Sequence, residues 1–183
     1  MDDIDSRAML AELRARQDIR DVVLRGARGV DRLDRELMIS AYHPGAVDNH
    51  GAFAGTREDF ADWVIGRHTG SIVSCTHFVG NQLLRIDGDT ASGETYVTVF
   101  SKYRAEDGAM LSKIGCGRYI DRFERRDGEW RIAQRVVVKD WTDVRTVTDP
   151  EELYPLSEYG HGDPVYTRSS PRLRRRATET EKA

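Results

Sequence analysis

Cysteine is scarce in this chain: Cys75 and Cys116 are the only two in 183 residues, far apart and in no CxxC unit. No zinc knuckle and no disulfide framework is indicated, and both are expected as reduced residues of a core or pocket. Long apolar runs are missing too. No stretch approaches the roughly 20 residues that cross a bilayer. The opening MDDIDSRAML is acidic rather than basic and then apolar, so no signal segment is read and the expected location is the cytoplasm. An excess of positive charge is also absent, since 28 Lys and Arg face 31 Asp and Glu for a net charge of -3. Such a chain has no electropositive field for nucleic acid or an anionic membrane, and its expected partner is neutral or small. Phosphate-cradling glycine loops, nucleophile elbows and internal repeats do not occur.

What is present fits one domain, residues 1–143, followed by an extension, residues 144–183. A helix is predicted from about Asp5, with Asp5 or Ser6 as N-cap and Ile19, Val22, Val23, Gly26, Ala27 and Val30 along a buried face. Asp34 suits the cap of a second short helix through Ser40, which Tyr42-His43-Pro44-Gly45 ends. A short strand near Ala46-Val47 precedes a third helix, capped by Thr56 and carrying Phe60, Trp63 and Val64.

Strands follow. His77 to Ile86, the turn Asp87-Gly88-Asp89 and the run Thr95 to Phe100 read as a hairpin. Leu111 to Phe123 forms a third long strand, where Gly115 and Gly117 mark a bulge or bend. Arg126-Asp127-Gly128-Glu129 turns it into a fourth, Trp130 to Trp141. The order predicts an α+β domain in which about three N-terminal helices cover one face of a bent antiparallel sheet. Beyond Asp143 the pattern is broken by Pro150, Pro155, Gly160, Gly162, Pro164 and Pro171, and it ends in RLRRRATETEKA. That extension is expected to be disordered at its end, and Arg172 to Arg176 read as a solvated tail. Tyr154, Tyr159 and Tyr166 suit packing on a neighbouring subunit or over a pocket mouth.

Asp31 continues the stripe Val23, Ala27 and so directs a carboxylate toward the apolar interior, which is costly without a partner. It can serve chemistry, or cap the second helix. His77 opens a strand in which alternation groups it with Val79, Asn81 and Leu83, opposite Phe78, Leu84 and Ile86. It can be a general base or a core histidine satisfied by backbone. A carboxylate beside an imidazole fixes the tautomer and stabilises the imidazolium, which makes a general base near neutral pH. His43, Asp48 and His50 lack the regular spacing of zinc sites, and no metal is expected there.

GVDRLDRELM, YHPGAVDNHG followed by Phe53 and Gly55, THFVGN, ERRDGEWRI and Arg135 together resemble the SnoaL-like family, on the nuclear transport factor two-like, cystatin-like fold. The resemblance covers about Leu10 to Trp141, and is strongest to the branch of hexachlorocyclohexane dehydrochlorinase and bile-acid dehydratase, with scytalone dehydratase more distant. It implies a cone-shaped α+β barrel, homodimers or homotrimers, no cofactor, and a catalytic dyad on Asp31 and His77. It places a pocket arginine on Arg135, although strict alternation points Arg135 away from the Trp130 and Ile132 face unless a bulge intervenes. Dehydratases of this branch carry a tyrosine before the aspartate where this chain has Gly26, so the proton donor is unassigned. Tyr42, His50 and Tyr96 are candidates to compensate, or else core residues; with Asn81 and Trp63 they complete the expected substrate-contacting set.

The resulting expectation is a cofactor-independent lyase or isomerase, acting on a small, cyclic, apolar compound by dehydration, dehydrohalogenation, double-bond migration or ring closure. The competing readings are a ligand-binding protein without catalysis and the structural small subunit of a ring-hydroxylating dioxygenase.

Overall fold

The computed structural model describes residues 3–147 and 158–167. Helix α1 spans Asp3–Arg32 and buries the predicted stripe, with Ile19, Val22, Val23 and Ala27 all inside the core. It begins ahead of the expected caps Asp5 and Ser6, because an acidic segment suits the positive end of a helix and supplies no stop. Leu33 ends the helix in the left-handed region at φ 50°, and Asp34 then caps α2 (Arg35–Ser40) by accepting from the Leu37 N–H at 2.9 Å. The two helices close tightly at Gly29, where a Cβ would lie 2.7 Å from the Met38 nitrogen.

Strand β1 (Tyr42–Asn49) is longer than the predicted Ala46-Val47 segment, and β2 (Ala54–Thr56), which the sequence reading lacked, pairs with its end. Helix α3 (Arg57–His68) starts on the reciprocal bonds of Thr56 and Asp59 and packs Phe60, Ala61 and Val64 inward. Four long strands follow: β3 (Ile72–Asp87), β4 (Thr90–Arg104), β5 (Met110–Arg126) and β6 (Glu129–Thr146). The sheet order is β2-β1-β6-β5-β4-β3.

The architecture is the expected α+β cone, with two corrections. The β1–β6 pairing is parallel, so the sheet is mixed rather than purely antiparallel, because the chain returns to β1's edge only after the β3–β6 meander. Neither does the sheet close into a barrel; β2 and β3 are its edges. The expected domain end at residue 143 falls inside β6, whose pairing continues to Thr146 opposite Leu111.

Bulges decide which residues face the helices. In β3 the register shifts between Val79 and Gln82, so Cys75, His77 and Val79 face inward before it, and Gln82, Leu84 and Ile86 after it. The predicted alternation runs unbroken through this point, so it places Phe78 correctly opposite His77 but misplaces Asn81 and Leu83, which are exposed, and Leu84 and Ile86, which face inward. In β6, Ala133 is an extra residue between the pairs Phe123–Ile132 and Arg122–Gln134. Asp140 is extra opposite the step from Cys116 to Gly117, close to the glycines expected to bend β5.

Residues 158–167 fold back onto α1 and α2. The Tyr166 hydroxyl donates to Asp34 at 2.7 Å, Arg32 pairs with Asp163 at 3.2 Å, and the Tyr159 hydroxyl reaches the Ile72 carbonyl at 3.4 Å. Tyr154, Pro150, Pro155, Pro171, the Arg172 to Arg176 cluster and the expected disordered end lie outside the described residues.

Candidate active site

A cavity of about 490 Å³ lies between the helices and the inward sheet face. Ala27 and Val30 of α1, Phe60, Trp63 and Val64 of α3, and Val99 and Val137 of the sheet make its wall largely apolar. Asp31 and His77 meet at this cavity. Asp31, in the last turn of α1, is 9% exposed. A carboxylate at the negative end of a helix is electrostatically unfavourable, so its position does not serve the helix. Its oxygens accept the His77 backbone N–H at 3.1 and 3.0 Å and approach the ring Nδ1 at 2.6 Å. That contact fixes the proton on Nδ1, and Nε2 has no hydrogen bond among the described residues. The cap of α2 is Asp34, which removes the alternative role of Asp31.

Cys75 backs the pair, with Sγ 4.0 Å from His77 Nδ1. Burial, and then the Asp31 charge, pushes its thiol up to about 12. The thiol therefore stays protonated, unlike a reactive or metal-bound thiolate. Asp31, Cys75 and His77 have donor atoms within 4.8 Å of one another, but the acid and imidazole already satisfy each other. The trio His43, Asp48 and His50 does not assemble: His43 Nε2 is bonded to the Glu124 carbonyl at 2.8 Å.

A second polar group lines the same cavity. Arg135, turned inward by the Ala133 bulge, makes a two-pronged bond to buried Asp121 at 2.8 and 2.7 Å. Burial alone would lower its affinity for the proton, but Asp121 and the neighbouring phenols hold it well above the usual value. Its guanidinium lies 3.9 Å from the Tyr119 ring centre, and its Nη1 makes no hydrogen bond among the described residues. Tyr42 donates to fully buried Asp48 at 2.6 Å, and the other Asp48 oxygen meets His50 Nδ1 in a very short contact. The His50 ring stacks on Phe60 at 4.7 Å.

Of the eight residues singled out from sequence, Asp31, His77, Arg135, Tyr42, His50 and Trp63 converge here. Asn81 and Tyr96 do not. Asn81 falls within the β3 register shift and is exposed, and Tyr96 lies on the outer sheet face, 44% exposed. The sequence reading missed His68. It continues the buried α3 stripe Phe60, Ala61, Val64, a spacing that was legible. Burial and then His77 push its imidazole down to about 4, and its Nδ1 is buried with no partner among the described residues. Asp121 was missed as a partner because its contact with Arg135 is between strands.

These features define a helix-covered, open α+β cone with an acid–imidazole pair in an apolar cavity. The chain belongs to the SnoaL-like domain family, whose model matches residues 11–136. Among solved structures it is similar to a hexachlorocyclohexane dehydrochlorinase (LinA) of type 2. The two are 19% identical over 79% of this chain and 99% of that one, with a TM-score of 0.68. The type 3 LinA of Novosphingobium barchaimii is 20% identical over 80% and 99%, at 0.67. A scytalone dehydratase-like protein of Novosphingobium aromaticivorans is 19% identical over 82% and 99%, at 0.64. These likenesses establish the fold. No curated protein matches the chain by sequence.

Proposed function

We propose that the protein is a cofactor-independent lyase or isomerase that removes a carbon-bound proton from a small, cyclic, mostly apolar substrate. The Asp31–His77 pair beside the apolar cavity carries this reading. His77 Nε2 takes the proton, while Asp31 holds the ring by Nδ1 and stabilises the imidazolium that forms. Arg135, its charge matched by Asp121, offers Nη1 to an enolate oxygen or a departing anion. Similarity to dehydrochlorinase and dehydratase-like structures agrees with this class of chemistry.

A binding protein or a dioxygenase small subunit would need no carboxylate at the unfavourable end of α1, nor an imidazole oriented by it. The working form in this proposal is a cytoplasmic homodimer or homotrimer. The test is a screen of hydroxylated and halogenated ring compounds for release of water or halide. On any compound turned over, Asp31→Ala and His77→Ala should each lower the rate by roughly two orders of magnitude or more while the protein stays folded. Full activity in the His77 variant overturns the proposal.

A further inference from the structure

The chain carries more acid than base, yet its cavity is lined by the opposite charge. Arg67, Lys113, Arg135 and Lys139 line it, and no aspartate or glutamate does so among the described residues. Buried Asp31, Asp48 and Asp121 stand outside the lining and are bonded to His77, to Tyr42 and His50, and to Arg135. Arg135 is thereby matched. Arg67 lies over the Trp63 ring at 5.3 Å, and neither it nor Lys113 nor Lys139 has a carboxylate partner among the described residues.

The strand register places the two lysines around the base. The inward rung of His77 continues through Val99 to Gly115. Lys113 is the inward position before Gly115, and Lys139 pairs with Gly117, the inward position after it. At about 4.8 Å per strand, Gly115 lies roughly 10 Å from His77, close to the length of a two-ring skeleton. Gly115 also leaves that stretch of wall open, because a Cβ there would meet nothing within 4 Å. Lys113 is half-buried, while Lys139 and Arg67, in the last turn of α3, are exposed, so the three cations stand toward the open side of the cavity. Lysine is rare in this chain: Lys102, Lys113, Lys139 and Lys182 are its only four, and two of them are here. Its flexible stem carries a point charge that can follow a bound ligand.

We infer that the substrate carries a carboxylate on the part of its skeleton remote from the reacting carbon, and that Lys113 and Lys139, aided by Arg67, hold it. This rests on the reading of the cavity as the substrate site, and it names the charge of that substrate. Three like charges beside one apolar wall repel each other; an anion among them relieves the repulsion, whereas a neutral ligand gains nothing from them. Held at that end, the ring system presents its far edge to His77. A phosphate fits less well, because the N–H groups of this wall are engaged in the β5–β6 ladder and α3 presents its negative, C-terminal end.

The probes are 2-naphthoate, 2-naphthamide and 2-naphthyl phosphate, which share one skeleton without a saturated carbon, so calorimetry reads binding without turnover. Each cation at so open a site contributes a few-fold, so the wild type should bind naphthoate about tenfold or more tighter than the amide, with the gap narrowing as salt rises. The phosphate should bind no tighter than naphthoate. Lys113→Gln combined with Lys139→Gln should weaken naphthoate to within a few-fold of the amide. Lys139→Gln alone, at an exposed position, should give part of that loss even where the double variant fails to fold. Equal binding of acid and amide by the wild type, a preference that survives in the variants, tighter binding of the phosphate, or no binding of any probe each overturn the inference. A lost charge preference leaves the lyase reading standing, and a failed turnover screen leaves the carboxylate subsite standing.

Discussion

His77 gives Asp31 both its backbone N–H, at 3.0 to 3.1 Å, and its ring Nδ1, at 2.6 Å. One residue thus ties the end of α1 to the β3 strand and orients the base in the same act. Asp31→Asn keeps an acceptor for the backbone N–H but not the charge that stabilises an imidazolium. It should lower kcat by about 100-fold or more with little change in KM or in the thermal midpoint, measured by steady-state kinetics and melting on one preparation.

Arg135 and Asp121 are 3% exposed each. Asp121→Ala leaves a guanidinium buried without its partner and should destabilise the fold by roughly 3–5 kcal/mol in urea titration. Replacing both, as Arg135→Met with Asp121→Leu, should recover most of that loss.

His68 supplies a pH signature. Its folded-state proton affinity is lowered, to about 4 against an ordinary 6.5, so the unfolded chain binds the proton first as pH falls. Stability tied to the neutral imidazole is complete above about pH 6.5 and is lost progressively toward pH 4, below which both states are protonated. His68→Leu should therefore melt with a flatter pH dependence between those values than the wild type. It should also gain stability at pH 7 from removing the orphaned Nδ1, by about 1–3 kcal/mol before the change in packing. An unchanged pH slope would contradict the assignment.

The outer sheet face carries an apolar rung. Phe78, Thr98, Cys116 and Trp141 are cross-strand neighbours on β3 to β6, and Phe78 and Trp141 are 68% and 52% exposed. Such a face suits contact with a second copy of the chain. Light scattering on a sizing column should show an oligomer for the wild type and a monomer for Phe78→Glu combined with Trp141→Glu.

Much of this molecule was legible in its residue order because helices and turns are local. The α1 stripe, the Asp34 and Thr56 caps and the Asp87-Gly88-Asp89 turn each depend on neighbours within a few positions. Asp31 and His77 were legible through the family resemblance, and Asp31 also through its place on the stripe. What escaped depends on pairing across strands. Asn81 was placed inward because alternation cannot register a bulge that only the partner strand reveals, and β1 could not be assigned parallel to β6 from its own eight residues. The Asp48–His50 contact is two residues apart and within reach of sequence reasoning.

Ala133 has a consequence for comparing this chain with its relatives. A homologue lacking that single residue would keep the counterpart of Arg135 facing inward opposite the counterpart of Asp121, but one position earlier along its strand. Gap-free alignment through β6 would then equate residues that never occupy the same space, and substrate preferences copied along such columns would be attached to the wrong side chains.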